Sequence, residues 1–277
     1  MPLFVRFWGV RGSIPTPGPR TRRYGGNTSC VEIRHGDTLL VCDAGTGLRE
    51  LGVHLLRKHG VGPLAVHLFL SHPHWDHIQG FPFFGPAYRQ NVTIFIYCPE
   101  DDDRNYRLLS GQMENDYFPV RFSDLGAKVL LRRFTNGSVT VDGVTVRHFA
   151  QCHPGGSLGF RFEASQRAVV YATDHELDAL PTRAIEAFHK ADLVIGDSQY
   201  SDEEYELRSG WGHPRATTLV DCAVHAQVRQ LALTHHDPMH SDREIDAKVM
   251  VCVDRARQLD SELEVFGARE GVELKLD

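Results

Sequence analysis

The chain contains no apolar run long enough to cross a bilayer, which takes about 20 consecutive residues, so a membrane-spanning helix is excluded. No secretory leader is expected. Residues 1–10, MPLFVRFWGV, have neither a basic start nor a long apolar stretch, and the expected location is cytoplasmic. None of the six cysteines, Cys30, Cys42, Cys98, Cys152, Cys222 and Cys252, forms a C-x-x-C pair. That removes the commonest thiol metal and redox motifs, and buried free thiols in a reducing compartment are expected. Basic residues are outnumbered, 30 Lys and Arg against 36 Asp and Glu, for a net charge of −6. A large nucleic-acid footprint depends on clustered cations that displace counterions and is disfavoured, although Arg20, Arg22 and Arg23 stand close together. Internal repeats and low-complexity linkers are absent. The 277 residues are therefore read as a single domain over residues 1–277, large enough to bury a core without cross-links.

Short apolar strands are predicted at residues 3–8, 29–35, 38–42, 64–70 and 92–98, with a helix at 47–59. A polar, acidic segment, 100–118, is read as partly helical. Further strands are predicted at 128–134, 144–149, 157–162, 168–172, 193–197 and 230–234. Two helices are expected to close the chain. One spans 214–226, with Pro214 at its first position. The other follows the capping box Ser241-Asp242-Arg243-Glu244 and gathers Ile245, Val249, Cys252, Val253 and Ala256 on one face. Many strands with few, widely spaced helices suit two packed sheets with helices outside, an α+β class, better than a βαβ repeat.

The chain has 16 histidines, and their placement matters more than their number. Ser71-His72-Pro73-His74-Trp75-Asp76-His77 directly follows the predicted strand 64–70. His72 and His74 alternate, so in extended backbone both side chains face one point. Asp76 and His77 follow a turn and can face a second point nearby. Imidazole with carboxylate suits zinc, and also manganese or iron.

This H-x-H-x-D-H run resembles the signature of the metallo-β-lactamase fold superfamily. The resemblance implies an αββα four-layer sandwich with two divalent metals at the edge between the sheets, zinc first and manganese or iron as alternatives. It implies further ligands just after later strands: His153 in Gln151-Cys152-His153-Pro154, Asp174 in Ala172-Thr173-Asp174, and His235 in Leu233-Thr234-His235-His236. His236 is the alternative to His235, which is preferred because it directly follows Leu-Thr. The family pattern puts His72, His74 and His153 on one metal, Asp76, His77 and His235 on the other, and Asp174 between them.

Two metals about 3.5–4 Å apart can share a hydroxide that acts as nucleophile, so the expected activity is metal-dependent hydrolysis. Asp76 is a metal ligand and also a candidate for orienting the water. Ile195-Gly196-Asp197-Ser198 and Gly212-His213-Pro214 resemble the acidic and histidine motifs of ribonuclease Z-like phosphodiesterases, with Asp197 where that branch usually carries glutamate. The resemblance implies Asp197 orienting His213, and His213 protonating the leaving oxygen. A helix beginning at Pro214 would add positive potential for a phosphate. The expected substrate is a small or cyclic-nucleotide-like phosphodiester. The alternatives are a tRNA 3′-end endonuclease, for which a basic arm is lacking, and a lactonase- or thioesterase-type carbonyl hydrolase.

Trp8-Gly9-Val10-Arg11-Gly12-Ser13, Tyr24-Gly25-Gly26-Asn27 and Asp43-Ala44-Gly45-Thr46-Gly47 also resemble the opening of such proteins. Arg11 and Asn27 are candidates for substrate contact. Phe81-Pro82-Phe83-Phe84 and Tyr117-Phe118 are core by default, with a cleft wall or a homodimer interface as alternatives.

Overall fold

Side chains alternate along a strand, and this decides which residues of each enter the core. In β1 (Leu3–Gly9), Leu3, Val5 and Phe7 are buried between two sheets, while Trp8 turns to the opposite face and packs beneath a helix. The structure is a computed structural model that describes residues 1–99, 102–177 and 180–277. After β1 come β2 (Cys30–His35), β3 (Thr38–Cys42), α1 (Gly47–His59), β4 (Leu64–Phe69), the one-turn helix α2 (Trp75–Ile78), β5 (Val92–Cys98), α3 (Arg104–Gly111) and β6 (Lys128–Arg133). The second half holds β7 (Ser138–Val141), β8 (Val144–Gln151), β9 (Ser157–Ala164), β10 (Arg167–Ala172), α4 (Thr182–Phe188), β11 (Leu193–Asp197), α5 (Asp202–Glu206), α6 (Ala216–His225), β12 (Gln230–Thr234), α7 (Asp242–Gln258), β13 (Glu264–Gly267) and β14 (Glu273–Leu276).

These strands form two seven-stranded sheets, ordered β14-β1-β2-β3-β4-β5-β6 and β13-β12-β11-β10-β9-β8-β7. Phe7, Ile33, Leu40 and Phe69 of the first sheet meet Phe160, Phe162, Tyr171 and Ile195 of the second in a shared core. Leu48, Leu51 and Leu55 of α1 cover the outer face of the first sheet. Phe188, Leu219, Val220 and Cys252 from α4, α6 and α7 cover the second. The result is the expected α+β, αββα four-layer sandwich. β3 through β6 pair in parallel, as do β10 through β13. Their carboxyl ends meet along one edge, where loops from both sheets converge.

Several sequence expectations need correction. The helix predicted at 214–226 is α6, which starts at Ala216 with Arg215 at its N-cap. Pro214 therefore lies outside it, and His213 is not at its mouth. The chain does not close on helices: β13 pairs with β12, and β14 pairs with β1. Both strands have four residues, too short for a periodic signal. β7 escaped the sequence reading for the same reason. In the segment 100–118, helix occupies Arg104–Gly111, and Glu100 and Asp101 lie outside the described residues. Five cysteines are buried, but Cys152 is exposed. Phe81 and Phe84 are core, whereas Phe83 and Tyr117 are exposed.

One buried carboxylate ties the converging edge together. Asp43 follows β3 in a left-handed conformation, φ 60°. Its Oδ1 accepts the Ser71 N–H at 2.7 Å, and its Oδ2 accepts the Ser71 hydroxyl at 2.8 Å and the Tyr171 hydroxyl at 2.6 Å. Ser71 follows β4 in the first sheet and Tyr171 belongs to β10 in the second, so the bond to Tyr171 crosses the core. Hydrogen bonds to charged groups contribute about 1.5–3 kcal/mol. Tyr171→Phe keeps the ring and removes the bond, and it should lower the unfolding free energy by about that amount in urea titration. An unchanged midpoint would show that this bond does not couple the sheets.

Candidate metal centre

Each residue singled out for metal binding lies just past the carboxyl end of a strand, and the two sheets bring these ends together. His72, His74, Asp76 and His77 follow β4, His153 follows β8, Asp174 follows β10 and His235 follows β12. Asp174 and His235 both have φ 56°. Left-handed backbone at these positions turns the chain sharply and leaves the side chain at the sheet edge.

Two triads of ligand atoms result. His74 Nδ1 stands 2.9 Å from His72 Nε2 and 3.1 Å from His153 Nε2. In the second triad, His77 Nε2 lies 3.1 Å from Asp76 Oδ2, His235 Nε2 lies 3.2 Å from that oxygen, and the two imidazole nitrogens are 3.3 Å apart. Asp174 stands between them. Its Oδ1 is 3.8 Å from His72 Nε2 and 3.7 Å from His153 Nε2, and its Oδ2 is 3.1 Å from His77 Nε2 and 3.3 Å from His235 Nε2. One carboxylate oxygen thus faces each triad.

The surrounding hydrogen bonds determine which nitrogens carry protons. His77 Nδ1–H donates to Asp43 Oδ2 at 2.7 Å, and His153 Nδ1–H donates to the Gly212 carbonyl at 3.0 Å. The Ser71 hydroxyl gives its proton to Asp43, so it accepts from His72 Nδ1–H at 3.0 Å. In the neutral imidazoles that metal binding requires, the Nε2 atoms of His72, His77 and His153 are thereby the free lone pairs. Lone pairs packed this closely repel unless a cation lies between them. With metal–ligand distances of about 2.0–2.2 Å, tetrahedral ligands lie roughly 3.4 Å apart, close to the triad edges. Asp174 Oδ2 is buried and accepts no hydrogen bond of good geometry, despite its two imidazole neighbours. The donor set fits two divalent cations. His74 is exposed, whereas the His153 side chain is buried, so the first triad opens to solvent at His74, as a site that receives a substrate must.

Charge balance gives the same result. Burial pushes Asp174 up, but the facing His235, His77 and His72 outweigh it and hold the carboxyl well below its usual range. Burial pushes His77 down, yet Asp76, Asp174 and Asp43 overcome it and hold the imidazole well above its usual value. Without a metal, protons supply the positive charge these carboxylates demand.

The expected catalytic pair is also in contact. His213 Nδ1–H donates to Asp197 Oδ2 at 2.7 Å, so the shorter aspartate reaches. Asp197 Oδ2 also accepts the Asp174 N–H at 3.0 Å, and its Oδ1 accepts the Gln199 N–H at 2.9 Å. The His213 ring lies 5.3 Å from that of His153 and 5.1 Å from that of His235, centroid to centroid, beside one member of each triad. Burial pushes His213 down, but the charge and hydrogen bond of Asp197, with Asp174, push it up to about 9.

Other expectations are corrected. His236 turns away from the triads and packs edge-on against Tyr24, with Nε2 near the Ala268 carbonyl. Arg11 is fully buried and donates to the carbonyls of Gly25, Asp237 and His240. It holds the loop after His235 and faces no open site. Asn27 is held by Glu270 through its backbone and side-chain amides. Sequence reasoning missed Asp43, Ser71 and Tyr171 as supports of the site. It also missed Ser13, whose N–H donates to Asp76 Oδ2 at 2.8 Å, and the buried Lys248 of α7, which donates to the carbonyls of Ser198 and Gln199. An aspartate ending β3 before a glycine-rich turn was the available signal for Asp43.

Metal uptake must displace the proton from His77, because only the neutral imidazole offers Nε2. Since that imidazole is raised in the metal-free protein, binding should release protons, and affinity for Zn²⁺ should weaken as pH falls from about 8 to 6. Calorimetry in buffers of different ionisation enthalpy tests this. Affinity independent of pH, with no proton release, would remove His77 from the ligand set.

Comparison with known proteins agrees with this geometry. A family profile described as "Beta-lactamase superfamily domain" matches residues 38–236, which include every triad residue. The ribonuclease Z of Haloarcula marismortui is 24% identical over all of this chain and 98% of its own length. Among solved structures, the metallo-β-lactamase fold protein YhfI from Bacillus subtilis superposes with a TM-score of 0.71 at 20% identity, covering 99% of both chains. A diphosphatase from the PhnP family gives 0.69 at 17% identity, covering 99% of this chain and 98% of its own. The chain belongs to the metallo-β-lactamase superfamily and is one of its metal-dependent hydrolases.

Proposed function

We propose that this protein is a dinuclear phosphodiesterase acting on a small or cyclic-nucleotide-like phosphodiester. The observation that carries the reading is the Asp197–His213 pair, 2.7 Å apart, set beside a carboxylate whose two oxygens face separate triads. His72, His74 and His153 hold one cation, and Asp76, His77 and His235 hold the other, with Asp174 between them. Two bound divalent ions, zinc first among the candidates, supply Lewis acidity and bring the pKa of water toward neutrality.

The chain's own groups do the rest. Ser13 N–H fixes Asp76, which orients the attacking water. Asp197 accepts the Nδ1 proton of His213 and holds its ring in one tautomer. His213 can then donate from Nε2 to the leaving oxygen, the step a poor leaving group requires. A carbonyl hydrolase opening an activated ester has less need of this acid. The Asp197–His213 pair therefore favours a diester over a lactone or thioester.

A second reading, tRNA 3′-end processing, is favoured by the ribonuclease Z relative, which aligns over this whole chain. Both readings share the diester chemistry and differ in the size of substrate.

Zn²⁺- or Mn²⁺-loaded protein should cleave bis(p-nitrophenyl) phosphate in preference to p-nitrophenyl phosphate or a lactone, and Asp174→Ala should abolish the activity. Lactone opening without diester cleavage would overturn the proposal. His213→Ala should lower kcat by roughly 10²–10⁴-fold on diesters with an alkoxide leaving group, and much less on nitrophenyl esters. An equal loss on both classes would exclude His213 as the proton donor.

A further inference from the structure

The chain has three tryptophans, and they divide sharply. Trp8 is buried, with its Nε1–H donated to Glu32 at 2.7 Å. Trp75 and Trp211 are 64% and 62% exposed. A large ring left in water is informative when it recurs beside a site, and both rings lie on the loops that build the metal centre. Trp75 stands between His74 of the first triad and Asp76 of the second. Trp211 is two residues before His213.

Both backbones are held in place. The Gly210 N–H donates to Glu176 Oε1 at 2.6 Å and the Gly212 N–H to Oε2 at 2.9 Å, so one carboxylate grips the turn on either side of Trp211. Tyr205 donates to the same carboxylate at 2.8 Å. The Gly212 carbonyl in turn accepts from His153. Gly212 has φ 93°, and a Cβ there would stand 2.2 Å from His153 Nδ1, so the turn is pressed against a member of the first triad. Trp75 begins α2, and its carbonyl accepts the Gln79 N–H at 2.8 Å. Two exposed rings are thus carried on anchored backbone, one next to His74 of the open triad and one next to Gly212, which contacts His153. A flat ring stacks on such a platform with little loss of conformational freedom.

We propose that Trp75 and Trp211 form an aromatic rim that stacks the nucleobase of the phosphodiester substrate while its phosphate occupies the metal centre. The proposal rests on the phosphodiesterase reading for the phosphate, and adds that the organic part of the substrate carries a planar aromatic ring. A nucleobase is shared by a cyclic nucleotide and by an RNA end.

The test is calorimetric binding to the Zn²⁺-loaded full chain of AMP, a monoester with a base, and of ribose 5-phosphate, the same phosphate without one. AMP should bind roughly 5- to 150-fold more tightly, the range stacking on an aromatic side chain supplies, and should quench tryptophan fluorescence. Trp75→Ala and Trp211→Ala should each reduce that ratio, and Trp211→Phe should restore most of it. Competition by 2′,3′-cyclic AMP against a short single-stranded RNA then identifies the source: tighter competition by RNA, falling steeply with salt, selects RNA, and the reverse selects the small nucleotide. Equal affinity for the two monophosphates overturns the proposal, as does an alanine variant that turns a dimer into a monomer in sedimentation while leaving AMP binding unchanged. A base preference without diester cleavage keeps the rim and removes the phosphodiesterase reading. Diester cleavage without a base preference does the opposite.

Discussion

Asp43 is buried completely and accepts hydrogen bonds from four donors: the Ser71 amide, the Ser71 hydroxyl, His77 Nδ1 and the Tyr171 hydroxyl. An ionised carboxylate is costly to bury unless its lone pairs are met, and these four donors meet them. Three parts of the structure are joined through this one group. Ser71 fixes the exit of β4, Tyr171 binds the opposite sheet, and His77 is held in the tautomer that leaves Nε2 free. The converging sheet edge, the local fold and the electronic state of one member of the second triad therefore share a single support.

Around that support, the centre concentrates carboxylate charge that faces imidazoles. Of the imidazoles that face Asp76 or Asp174, His77, His153 and His72 give their Nδ1 protons to Asp43, the Gly212 carbonyl and Ser71. Structural ion pairs settle their charge with a neighbouring Arg or Lys. Here the buried cations act behind the site instead. Arg11 and Lys248 bind backbone carbonyls of the loops that follow His235 and Asp197. They fix the loops and leave Asp76 and Asp174 to face imidazoles. Burial pushes Lys248 down to about 8, a cost borne to hold the Ser198 and Gln199 carbonyls in place.

The same organisation explains how residues far apart in sequence reach one site. Parallel strands in both sheets end on the same edge, and left-handed residues at Asp43, Asp174 and His235 turn the chain there. The loop carrying His213 reaches that edge from the start of α6. It is held there by Asp197 on one side and through Gly212 and His153 on the other. His213, Asp174 and His153 are thus held by a connected set of hydrogen bonds.

The sequence by itself determined the sandwich and the ligand types, because both leave local periodic signals. Alternating apolar residues marked most strands, α1 was placed at its observed bounds, and H-x-H-x-D-H put four donors past one strand end. Capping chemistry at Ser241 and Glu244 likewise placed α7. Only the tertiary structure decided what depends on direction and on distant partners. His235 and His236 have the same chemistry and differ in which way the backbone at φ 56° turns each ring. Arg11 looked available for a substrate, but two of the three carbonyls that hold it come from residues more than 200 positions away. Short strands β13 and β14 exist because a sheet edge was there to pair with. Asp197 reaches His213 because the ends of β11 and the α6 entry are held close, a distance that no spacing in the sequence encodes.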